Sequence, residues 1–86
     1  MKYINLISYV KRSEHRTKVL KNLEKEIKFP RDIFNQTRLQ RSDVSRALKE
    51  LKSKKLVHCL NENEKQGRLY EITGLGKKVL NNLDSL

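Results

Sequence analysis

Apolar residues recur along this chain in two rhythms, one of helical period and one that alternates. Ile4, Ile7 and Val10 stand three apart, the spacing of a short opening helical segment over 3–11. Val19, Leu20, Leu23 and Ile27 then form a helical stripe with Lys18, Lys21 and Lys25 on its outer faces, which predicts a helix across roughly 13–26. Ser13 suits its N-cap, because a short hydroxyl can accept from an orphan amide. Pro30 restarts the pattern: proline fits the first helical position, and Asp32 in the first turn complements the helix dipole. A short helix over about 30–36 follows, then Thr37-Arg38-Leu39 as a tight connection. The next helix spans about 40–54, where Val44, Ala47, Leu48 and Leu51 fall at i, i+3, i+4 and i+7.

After Lys55 the period changes. Leu56-Val57-His58-Cys59-Leu60 is rich in strand formers, and Arg68-Leu69-Tyr70-Glu71-Ile72 alternates with period two. The polar run 61–67 between them ends in Gly67 and reads as a long hairpin tip, with Tyr70 expected to pack the hairpin against the 40–54 helix. Thr73 can cap a last helix with Leu75, Val79, Leu80 and Leu83 as its stripe. The predicted class is α+β in one domain over 1–86: a three-helix core, a two-stranded hairpin over about 56–72 and a C-terminal helix.

Charge then narrows the function. The 86 residues carry 20 Lys+Arg against 10 Asp+Glu, a formal net charge of +10. Residues 1–28 and 29–60 each hold eight basic and three acidic side chains, whereas 61–86 holds four of each. So strong a field over the first two-thirds of a small chain points to a polyanionic partner, with a plainly solvated lysine-rich surface as the bland alternative. No apolar run approaches a membrane span, no secretory signal is expected, and the single cysteine, Cys59, suits a reducing cytoplasm.

A helix-turn-helix needs a short helix, a sharp turn and a second helix free to enter the major groove. Ile33, Leu39, Val44 and Ala47 supply the apolar contacts of such a unit over about 30–54. The outward face of the second helix offers Arg41, Ser42, Ser45 and Arg46 near its N-terminus, where base edges are usually met. Lys49 and Lys52 follow, nearer the phosphate backbone. A solvated helix face would explain the same residues. The hairpin that follows carries Lys65, Gln66 and Arg68 around Gly67, the composition of a wing touching the minor groove or flanking phosphates, while Glu62 and Glu64 oppose that reading by charge.

The run 42–51 (Ser-Asp-Val-Ser-Arg-Ala-Leu-Lys-Glu-Leu), then Lys54-Lys55-Leu56-Val57, then Gly67 to Thr73 with Gly76, resembles the MarR/ArsR-like winged helix-turn-helix regulators, in particular small archaeal ones. The resemblance implies a sequence-specific, homodimeric regulator of transcription on double-stranded DNA. By it, Ser42, Ser45, Arg46 and Lys49 fall on recognition-helix positions and Lys65 and Arg68 on wing positions. Phe34 stands where helix-turn-helix proteins usually carry a small residue, and Arg38 where a turn glycine is common. The long terminal dimerisation helices of full MarR-type proteins have no counterpart, so a dimer would use Ile4, Leu6, Ile7 and Val10 with Leu80, Leu83 and Leu86, unless these only complete the monomer core. His58 and Cys59 are neighbours that a strand would send to opposite faces, so no metal site is expected. No cofactor loop or nucleophile grouping is legible, and an enzyme is not expected. A protein-contact module of transcription or replication machinery and an RNA-binding winged helix remain the alternatives.

Overall fold

The computed structural model describes residues 3–83. Its elements follow in the order α1 (Ile4–Lys11), α2 (Glu14–Asn22), α3 (Pro30–Thr37), α4 (Arg41–Ser53), β1 (Val57–Cys59), β2 (Tyr70–Ile72) and α5 (Gly74–Asn81). The α4 stripe of Val44, Ala47, Leu48 and Leu51 is buried, and it shares one core with Val19, Leu20 and Leu23, Ile33, and Leu56 and Val57. Thus α4 is packed at once by α2, α3 and the start of the hairpin. The strands pair antiparallel with Val57 opposite Ile72 and Cys59 opposite Tyr70, and alternate buried and more exposed side chains. Cys59 is a core residue, as a small apolar side chain would be.

Local chemistry sets the element ends. Ser13 Oγ accepts from the Arg16 amide at 3.2 Å, and Thr73 Oγ1 from the Gly76 amide at 2.9 Å. Pro30 opens α3, and the Asp32 carboxylate accepts from the Phe29 amide at 3.4 Å. Two helices end in the left-handed region without glycine: Arg38 at φ 66 and Lys55 at φ 65. At Lys55 the Leu56 amide donates to the Leu51 carbonyl and the Lys55 amide to that of Lys52, both at 3.0 Å, which satisfies two orphan carbonyls and lays Leu56 on Leu51. At Arg38 the chain reverses between α3 and α4, and Thr37 Oγ1 holds the turn by donating to the Ile33 carbonyl at 2.7 Å.

The helix expected over 13–26 stops at Asn22. Leu23 is the last residue it can bury; Glu24, Lys25 and Glu26 are exposed, and Ile27, assigned above to the stripe, is 48% exposed. The competing interaction is a strand contact. Lys28 and Tyr70 exchange both backbone hydrogen bonds, at 3.0 and 2.9 Å, so the segment before α3 adds an isolated bridge to the free edge of β2. Pro30 favours this, because the residue before a proline is held extended, and Phe29 has ψ 153.

The strands are shorter than the runs 56–60 and 68–72, and the opening segment is a full α1. Of the apolar residues considered for a dimer face, Ile7, Val10 and Leu83 are buried in the monomer, Leu6 and Leu80 are half-buried, and Ile4 is exposed. Leu86 lies outside the described residues. Among those residues no helix is long and apolar enough to cross a membrane, and no group of three His, Cys, Asp or Glu could hold a metal.

Two substitutions test this packing. At Gly76 an added Cβ would overlap the Leu56 carbonyl oxygen and come within 2.7 Å of Ile72 Cγ1. Gly76→Ala should therefore lower the unfolding free energy by about 2 kcal/mol in urea titration. Lys55→Gly relieves the left-handed backbone and should raise it by about 1 kcal/mol, read as a higher urea midpoint with unchanged slope.

Candidate nucleic-acid interface

Because α4 buries one stripe, its remaining positions divide between two directions. Its carboxylates are turned toward α2: Asp43 lies 3.8 Å from His15 Nε2, and Glu50 accepts from Arg16 Nε at 3.1 Å. The Arg16 guanidinium also donates to the Tyr9 carbonyl at 2.7 Å and stacks 3.8 Å from the centre of the Tyr9 ring, so it joins α1, α2 and α4. Its charge is spent on structure. Ser42, Ser45, Arg46 and Lys49 are exposed and make no side-chain hydrogen bond or ion pair among the described residues. Arg46, three residues after Asp43 and four before Glu50, stands beside the carboxylates, and Ser45 and Lys49 stand away from them. Arg41, at the first position of α4, lies over the Phe34 ring at 5.2 Å, so the bulky side chain in α3 becomes a platform for a cation.

The wing loop is organised by its own side chains. Asn61 Nδ2 donates to the Gly67 carbonyl at 2.9 Å, and its Oδ1 accepts from the Leu69 amide at 2.8 Å. Arg68 Nε donates to the Glu64 carbonyl at 2.7 Å and Nη2 to that of Glu62 at 3.3 Å. Gly67, at φ 66, supplies the left-handed residue that lets the tip close. Lys65 and Gln66 stay exposed at the tip, unpartnered among the described residues. Lys52 and Glu62 form an ion pair that ties the wing loop to α4. The hydrogen bond between them raises the Lys52 pKa and lowers that of Glu62, so the pair stays charged across the neutral range.

Between α3, α4 and the wing lies an open groove of ≈ 990 Å³. Its lining includes Arg31, Arg41, Lys49, Lys52, Lys65 and Arg68 and no carboxylate, with Phe29, Phe34 and Tyr70 among its apolar surfaces. Of the nine residues expected at a DNA surface, Arg41, Ser45, Lys49, Lys52, Lys65, Gln66 and Arg68 meet in this groove. Ser42 and Arg46 lie outside its lining, on the exposed part of α4. Arg31 and Phe29 were not anticipated. Their signal was available: both flank Pro30, the residue that starts α3 facing the wing.

The same architecture occurs in solved proteins. The chain superposes on a MarR family transcription regulator, SP03579, with a TM-score of 0.76 at 17% identity, covering 94% of this chain and 60% of that one. It matches the C30AH42A mutant of Lactococcus lactis ZitR at 0.73 and 19% identity, covering 85% and 51%, and the adhesin competence repressor AdcR of Streptococcus pyogenes at 0.71 and 16%, covering 96% and 63%. The fold is thus the winged helix of MarR-family regulators, and the chain spans about half to two-thirds of the length of these proteins. The family described as the HVO_A0261 N-terminal domain matches residues 4–86. No curated protein matches the sequence.

The wing's dependence on Arg68 is measurable. Arg68→Ala should speed amide hydrogen exchange across 61–68 while leaving exchange in α2 and α4 and the melting temperature nearly unchanged, because the lost bonds are confined to the loop.

Proposed function

The chain belongs to the HVO_A0261 N-terminal domain family, and we propose that it is a double-stranded-DNA-binding regulator of transcription. The observation that carries the reading is the sorting of charge on α4. Its carboxylates lie against His15 and Arg16 of α2, and Ser42, Ser45, Arg46 and Lys49 are exposed without side-chain partners among the described residues, beside or near a cationic groove. A helix about 10–12 Å across with its side chains suits a major groove about 12 Å wide.

In this reading α4 enters the major groove. Ser42, Ser45 and Arg46 approach base edges, and Arg41 and Lys49 meet edges or phosphates near the helix start. Lys65 and Gln66 at the wing tip reach flanking phosphates or the minor groove. Arg68 contributes by shaping the loop from within the groove lining. Arg31, at the start of α3, extends the cationic wall along the backbone. The reading also includes a homodimer in the cytoplasm. Its support in this domain is the exposed Ile4 with the half-buried Leu6 and Leu80, and sedimentation at micromolar concentration tests it.

Fluorescence anisotropy with the chain's own promoter duplex, a scrambled duplex, single-stranded DNA and double-stranded RNA, titrated over salt, tests the proposal. Preference for the promoter duplex at physiological salt is expected. Arg46→Ala should then cost about 1–3 kcal/mol on that duplex and less on the scrambled one. Preference for RNA would favour the RNA-binding alternative. Weak, indiscriminate binding to every polyanion would favour a protein-contact module.

A further inference from the structure

Glu62, a carboxylate of the wing loop, is paired with a cation of the groove lining. Lys52 lies seven residues after Ser45 on α4, two turns along the same face, and its ammonium forms the ion pair with Glu62. Glu62 is not carried by a loose tip. Arg68 grips its carbonyl and that of Glu64, and Asn61 beside it bonds to Gly67 and Leu69 across the loop. The pair therefore has a defined backbone on both sides, one helical and one cross-braced. Its members are both well exposed, 39% for Lys52 and 55% for Glu62, so solvent and other anions can reach it.

We propose that the Glu62 carboxylate is an internal stand-in for a phosphate, masking Lys52 until a nucleic-acid phosphate displaces it. This rests on the duplex-binding reading above and adds a regulatory contact to it. Two oxyanions cannot share one ammonium without repulsion, so a phosphate arriving at Lys52 drives the Glu62 side chain away, together with the loop that Arg68 braces. Masking thus has two consequences. The chain binds all duplexes less tightly than its cations would allow, and seating of the α4 face is coupled to the position of the wing. Glu64, two residues along with its side chain unpaired among the described residues, carries the same charge without the contact.

Salt-titrated anisotropy on the scrambled duplex, comparing wild type, Glu62→Gln, Glu64→Gln, Lys52→Gln and the Glu62→Gln/Lys52→Gln pair, separates the contact from the charge. Glu62→Gln should tighten binding about threefold, the scale of a surface ion pair. The log–log salt slope should stay close to that of the wild type, because Lys52 meets a phosphate in both bound states, and should fall by about 0.9 in Lys52→Gln, which loses that contact. The gain should vanish in the Lys52→Gln background and be clearly smaller in Glu64→Gln, with melting temperatures verifying that each variant folds. Equal gains for Glu62→Gln and Glu64→Gln, or weaker binding by Glu62→Gln, would overturn the masking while leaving duplex binding intact. Failure of the wild type to bind any duplex would overturn the functional reading itself, and this inference with it.

Discussion

Burial of Val44, Ala47, Leu48 and Leu51 along one side of α4 is the contact on which the other features hang. Truncating a single buried leucine of this kind typically costs about 2–5 kcal/mol, a large part of the roughly 5–15 kcal/mol that holds a domain of this size together. With that stripe fixed between α2, α3 and the hairpin, α4 cannot rotate. The exposure of Ser42, Ser45, Arg46 and Lys49 follows from the period of the helix. The same rotation brings Asp43 and Glu50 against α2, where His15 and Arg16 answer them.

Electrostatics then refines what packing imposes. A net charge of +10 on so small a chain is a source of self-repulsion, and the structure disposes of part of it internally. Arg16 is absorbed between Glu50 and Tyr9, Lys28 is buried with its ammonium donating to the Asn22 carbonyl and Gln36 Oε1, both at 2.6 Å, and Lys18 is paired with Glu14. Arg46 and Lys49 on α4, Arg31 at the start of α3 and Lys65 at the wing tip are among the cations left without a side-chain partner among the described residues. Total charge is therefore a poor guide to the interface, because several of the cations that produce it are structural.

Much of the fold was legible because it depends on local rules. The stripe of α4, the caps Ser13 and Thr73, Pro30 at the start of α3 and the change of period after Lys55 each follow from a few neighbouring residues. The left-handed turn at Arg38 was visible only as a missing glycine, and Lys55 gave no sign of its own. The stop of α2 at Asn22 was hidden, since Ile27 continues a helical spacing that tertiary structure does not use. The backbone pairing of Lys28 with Tyr70, 42 residues further on, decided it.

The candidate site divides in the same way. The sequence by itself determined that α4 would expose Ser42, Ser45, Arg46 and Lys49, because helical period and the buried stripe leave those residues no other direction. Only the tertiary structure decided which charges stay available. Arg68 turns onto loop carbonyls, Lys52 meets Glu62, and Arg31 and Phe29 join the groove through the approach of α3 to the wing. Period is a property of neighbours along a helix. The pairing of a charge depends on which distant backbone is carried to within a few ångströms of it, and that is settled when the chain closes on its core.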